Sequence, residues 1–356
     1  MEAMSWIARA VTLGLVAVVS VGTLAAQLQP RPTHEPMVTR LHPGFDRLVP
    51  ADAVLEKIAD DHGWTEGPVW VRDGGYLLFS DVVKNTIYRW KADEGETVFL
   101  RPSGYTGSSP FTGAEPGSNG LALDPTGRLV FCQHGDRSIS RREANGRLTT
   151  LVSRFEGKRI NSPNDLVFKS NGDLYFTDPP FGLPRTFNDA AKELPFQGVY
   201  RLSRDGKLTV LTKDLSAPNG IAFSPDERTL YVSNADRQRL VWIAFQVKPD
   251  GTLGERRVLY DGTQSLANRR GTADGMKVDR LGNIYAAGPG GVYVFAPDGK
   301  VLGWFDFGGN VGNVAWGEDG STLFIAANAT IYRVRLNTRG AGWEEAVSNK
   351  AVSSEQ

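Results

Sequence analysis

Five oxygen-bearing side chains recur at one position of a repeated phrase: Glu66, Asn119, Asn164, Asn219 and Asp274. Successive members are 45 to 55 residues apart, and each stands at the head of a short apolar segment. Two carboxylates and three neutral amide oxygens converging on one axis make a hard-ligand cage in which a divalent cation is balanced in charge. Calcium tolerates irregular oxygen cages of this kind, with zinc, manganese or magnesium as alternatives. The rest of the composition leaves few other ligands, because the chain holds one cysteine, Cys132, and four histidines. Asn and Asp often merely make the turn before a strand. Five of them at the same repeat position favour the cage.

A second tier of polar residues follows 14 or 15 positions later: Asp81, Gln133 with His134, Asp178 and Asn234. If the segment after each cage residue is a strand, and the next returns antiparallel, the second tier comes back to the same face. His134 is the one histidine expected near that face, since His34, His42 and His62 all precede the first repeat. It is a candidate to hydrogen-bond a substrate hydroxyl, against the alternative of a turn histidine with no catalytic task. Asp178 is a candidate substrate contact or an orienting group for a cage residue, against a structural role in its TDPP turn.

The elements that must position these residues are legible in the repeat itself. The first copy is TEGPVWVRDGGYLLFSDVVKNTIYRW, and later ones include SNGLALDPTGRLVFCQHGDRSISRR, PNDLVFKSNGDLYFTDPPFG, PNGIAFSPDERTLYVSNADRQRLVWIAF and ADGMKVDRLGNIYAAGPGGVYVFAPDG. A sixth, GNVAWGEDGSTLFIAANATIYRVRL, offers only Gly312 at the cage position. Each copy reads as strand, turn, strand, followed by one or two more strands, and six such units predict an all-β fold, a six-bladed β-propeller over residues 53–337 with a central metal site. A two-sheet sandwich gives no reason for six copies of one phrase. The sixth copy supplies three strands, near Val314, Phe324 and Tyr332, and Ala53–Asp60 has the apolar pattern to complete it and join the chain ends. Two long inserts, residues 101–118 and 179–198, fall on the cage face, where they could wall a pocket.

Composition sets the remaining bounds. With 40 Lys+Arg against 40 Asp+Glu, the chain has no net charge to attract nucleic acid or an anionic membrane. Forty glycines, 20 prolines and 35 aromatic residues suit short strands joined by tight turns better than long helices. The uncharged run Ala10 to Ala26 reads as the core of a signal peptide over residues 1–26, with cleavage near Ala25 or Ala26 and the mature protein periplasmic or secreted. A retained anchor is the alternative, although 17 residues fall slightly short of the ~20 that span a bilayer. Residues 27–52 then read as a linker and 338–356 as a polar tail.

EGPVW at Glu66, RINSPNDLVF at Asn164 with FTDPPFG behind it, PNGIAFSPD at Asn219 and ADGM at Asp274 together resemble motifs of one family, in family order. That family is the senescence-marker-protein/gluconolactonase (regucalcin-like) group of six-bladed metal-dependent lactonases, which also includes phosphotriesterases of the diisopropyl-fluorophosphatase type. The resemblance covers roughly Leu55 to Leu336. It implies an ion bound through Glu66, Asn164, Asn219 and Asp274, and it leaves Asn119 to contact substrate or to stand behind the ligands. It also implies a hydrolase that opens a small sugar lactone by water attack on the carbonyl, with Asp274 as the candidate acid/base. The alternatives are organophosphate hydrolysis on the same architecture and a non-enzymatic binding propeller with a structural calcium. No GxSxG elbow, HExxH helix or phosphate-binding loop competes. Cys132, flanked by apolar residues, reads as packed and inert.

Overall fold

The computed structural model describes residues 34–343. The signal-like run and the end of the tail lie outside them. The strands carry apolar residues on both faces, so each sheet must be covered twice: Leu77 and Phe79 face one neighbouring sheet while Leu78 faces the other. Radial stacking meets that need. Among the described residues six antiparallel sheets form the blades, with inner strands Thr65–Val71, Ser118–Leu123, Leu166–Phe168, Pro218–Phe223, Met276–Val278 and Val311–Gly317. These inner strands contact one another in closed order around the axis, blade 1 to blade 6 and back. Six apolar clusters lie between the blades, one at each of the six junctions.

The ring closes between the two ends of the repeat region. Glu56–Ala59 pairs antiparallel with Thr330–Arg335, Glu56 opposite Arg333, and supplies the outer strand of the sixth blade. Structure also occupies the stretch read as a linker. Met37–Arg40 adds a fifth strand to the outer edge of blade 5, pairing with Val301–Asp306. A short helix, Pro43–Leu48, follows; the His42 side chain caps it by accepting from Gly44 N, and Pro43 needs no N–H partner at that place. Its Phe45 and Leu48 enter the cluster between blades 5 and 6. At the other end, Gly340 bridges to Asp279, and the Arg72 guanidinium lies 3.7 Å over the Trp343 ring.

Candidate active site

The cage residues sit at the heads of the inner strands, where pairing with the second strand slips. Register shifts fall between Glu66 and Val69, Ser118 and Leu121, Pro218 and Ile221, and Val311 and Asn313. Such bulges re-aim the side chains they carry. In blade 1 the bulge needs Gly67, at φ +49°, because a Cβ there would stand 2.2 Å from the Asn119 carbonyl oxygen of the next blade. All five residues are buried.

Hydrogen bonds tie each of these positions to the blade before it. Ser80 Oγ donates to Asn119 O at 2.9 Å, Thr177 Oγ1 to Asn219 O at 2.6 Å and Ser233 Oγ to Asp274 O at 3.0 Å. Cys132 and Ala287 hold the corresponding places in blades 2 and 5 and offer no hydroxyl. There the N–H groups of Gly120 and Gly275 donate instead, to Asn164 O and Gly312 O, each at 2.8 Å. Thr65 completes the circle by donating its N–H and its hydroxyl to Asn328 O at 2.8 and 3.0 Å. The cage is thus fixed through backbone carbonyls, which leaves the side-chain oxygens free for other work.

Gly312 proves to be a full member of this ring. A Cβ on it would stand 2.5 Å from Glu66 Oε1, so the Glu66 carboxylate occupies the space a sixth side chain would fill. Trp64 Nε1 donates to that same oxygen at 3.2 Å, and Gly67 N to Oε2 at 3.2 Å; Gly275 N donates to Asp274 Oδ1 at 3.1 Å. Among the described residues no Lys, Arg or His pairs with either carboxylate. Burial, with the charges of Asp165 and Glu115, pushes the Glu66 carboxyl up to about 8. Burial, then Glu66, Asp165 and Glu115, holds Asp274 well above the ordinary carboxylate range.

Among the described residues, buried Asn119 Oδ1 and Asn219 Oδ1 have no hydrogen-bond donor. Two carboxylates that repel each other and two amide oxygens without donors lack the same thing, a positive charge at close range. The donor set therefore fits a hard divalent cation. No three His, Cys, Asp or Glu side chains gather as a metal cluster among the described residues, so amide oxygens must complete any such site. Asn164 is buried in the same ring, with its N–H bonded to Thr177 O.

The second tier builds the wall behind the cage. Asp81 accepts from Gly63 N, Trp64 N and Lys84 N, and Asn234 Oδ1 accepts from Ala217 N. Fully buried Asp178 accepts from Asn161 N and Ser162 N, one to each oxygen at 2.8 Å. Burial raises its carboxyl to about 7 against those two bonds. Gln133 receives the hydroxyls of Ser138 and Ser140 and donates to Ser103 O. His134 is different. It is fully buried, Nε2 has no hydrogen-bond partner among the described residues, and Nδ1 lies 3.0 Å from Glu115 Oε2 without the alignment of a hydrogen bond.

Both inserts belong to this wall. Asn85 binds the first, its Oδ1 accepting from Ser103, Gly104 and Tyr105 and its Nδ2 donating to Tyr105 O. Gly182 N of the second donates to Ser162 Oγ, and Arg137 Nη1 reaches Ala191 O. Trp64, Asp165 and Glu115 were not singled out by sequence reasoning. Trp64 and Asp165 are next to or near cage residues in the chain, but Glu115 has no fixed place in the repeat, and only the folded insert brings its charge to the ring.

Residues 64–329 match the SMP-30/gluconolactonase/LRE-like region. The chain is 41% identical over 312 residues to a gluconolactonase of Zymomonas mobilis, covering 85% of this chain and 87% of that one. A solved gluconolactonase from Xanthomonas campestris superposes with a TM-score of 0.73 at 34% identity, covering 86% of this chain and 97% of the other. A calcium-binding regucalcin from Agrobacterium tumefaciens shares the fold, with a TM-score of 0.63 at 20% identity over 81% of this chain and 95% of its own.

Proposed function

The chain belongs to the SMP-30/gluconolactonase/LRE-like family, and from that premise we propose that it is a lactonase that hydrolyses a sugar lactone. The observation that carries the reading is the ring itself: buried Glu66 and Asp274 without a cationic partner among the described residues, beside the amide oxygens of Asn119 and Asn219, which have no donor there. Glu66, Asn164, Asn219 and Asp274 would hold a divalent cation, calcium in the first instance. When bound it supplies Lewis-acid polarisation of the lactone carbonyl and stabilisation of the charge that develops on its oxygen.

The chain's own groups do the rest. Asp274 accepts a proton from the attacking water as the water oxygen bonds to the carbonyl carbon, the ring C–O bond breaks, and Asp274 returns that proton to the departing alkoxide to give the hydroxy acid. Asn119 and His134 receive substrate hydroxyls. Asp178 contributes from behind, by holding the Asn161–Ser162 segment that leads to Asn164. A ring of polar side chains suits a polyhydroxylated lactone better than an acyl lactone. With Ala10 to Ala26 as an export signal, the reaction takes place in the periplasm or outside the cell.

The test is a panel of aldonolactones, acyl lactones and a fluorophosphate, each with calcium, zinc, manganese or chelator. Aldonolactones should be opened preferentially and chelator should abolish the activity. Glu66→Gln or Asp274→Asn should lower it at least ~100-fold, as loss of a ligand commonly does. Full activity in chelator would overturn the reading, and preference for the fluorophosphate would move the chain to the phosphotriesterase branch.

A further inference from the structure

We propose that Glu115 is a positioning residue that acts through His134, its carboxylate keeping the imidazole proton on Nδ1 so that Nε2 presents a lone pair to a substrate hydroxyl. The inference rests on the lactonase reading and adds to it a residue and a tautomer. Three observations carry it. First, His134 Nδ1 and Glu115 Oε2 are 3.0 Å apart, and Nε2 is buried with no partner among the described residues. Second, the imidazole is clamped between the two inserts. His134 N donates to Gly117 O, two residues beyond Glu115, and on the other side a Cβ on Gly182 would stand 2.4 Å from His134 Cβ and 2.8 Å from Cγ. Third, the pair stands at the cage. Gln133 pairs with Ser118, the neighbour of Asn119, and the Glu115 charge reaches the carboxyls of both Glu66 and Asp274.

The chemistry follows from what each group can offer. An ionised carboxylate only accepts, whereas a neutral imidazole has one N–H and one lone pair. Beside Glu115 the N–H belongs on Nδ1, and the second nitrogen becomes the acceptor, as a histidine's partner commonly decides. A buried acceptor without a donor wants one, and a hydroxylated substrate brings several. Catalytic hydrogen bonds are often poorly aligned before substrate arrives, which accounts for a close Glu115–His134 contact that is not yet a hydrogen bond.

Glutamine at position 115 keeps the size and removes the obligation, because its amide can donate to Nδ1 as well as accept. Nitrogen-15 NMR of the full chain reads the tautomer directly, and four histidines make assignment tractable. Wild-type His134 should carry its proton on Nδ1, and Glu115→Gln should shift the population toward Nε2–H. The same variant should raise KM for a hydroxylated lactone about tenfold more than for one without hydroxyls, the worth of one hydrogen bond, and Glu115→Asp should recover part of that loss. A proton on Nε2 in the wild type, or a tautomer and KM ratio unmoved by Glu115→Gln, overturns the proposal. The spectroscopic arm stands whether or not any lactone is opened, so failure of the lactonase reading would show separately in the kinetics.

Discussion

The most informative single residue in the ring is the one without a side chain. Repetition alone exposed Glu66, Asn119, Asn164, Asn219 and Asp274, because the same polar type returned at the same place in each phrase. The same comparison made Gly312 look like a gap. It is instead the place that the Glu66 carboxylate fills, 2.5 Å from where a Cβ would stand. Gly312→Ala should therefore displace Glu66 while leaving the fold intact, and calorimetric titration of calcium should show affinity lowered ~10- to 100-fold with little change in thermal midpoint. Unchanged affinity would mean that Glu66 has room to spare. Asp165 and Glu115 could not be weighed from the sequence in the same way, since what they do depends on contacts between blades, and Trp64, whose indole donates to Glu66 within blade 1, stands just outside the repeated phrase.

At the scale of elements, the second strand of blades 1, 3 and 4 does more than pair with the first. It ends in a hydroxyl that reaches across to the next blade's cage residue, at Ser80, Thr177 and Ser233. Thr177→Val keeps the shape and removes the donor, leaving Asn219 O without its 2.6 Å partner. It should cost about 1–3 kcal/mol, read as a lowered denaturant midpoint, whereas a neutral result would mean that water replaces the hydroxyl. The strands were readable as elements because each repeated phrase holds short apolar runs separated by turn residues. Met37–Arg40 was not, for four residues carry too little pattern and its pairing is with a strand some 260 positions away.

For the whole molecule, the decisive contact is the closure between first and last blades. His62 sits in the segment joining them, its N–H on Ala329 O, Nδ1 3.4 Å from Asp81, Nε2 3.0 Å from Glu96, and its ring edge-on to Phe79 and Tyr88. Burial lowers its pKa, but Asp81 and Glu96 outweigh that and raise it above the ordinary value. A folded pKa above the unfolded one means the closure gains most below about pH 6.5 and loses that gain as pH rises through the folded value. Thermal midpoints from pH 6 to 9 at fixed calcium should fall more steeply for the wild type than for His62→Gln. Parallel curves would remove His62 from the closure.

The strand Met37–Arg40 has a bearing on how the molecule could be held. Met37 pairs with Asp306, and His34 contacts that carboxylate beside Arg269 and Arg270, on the same face as the cage. The other described end, near Trp343, packs against Val278 O and Gly320 on the opposite face. The two described ends of the propeller thus lie on opposite faces. An attachment made at the described amino-terminal end, His34, therefore lies on the cage face, and one made near Trp343 lies on the face away from it.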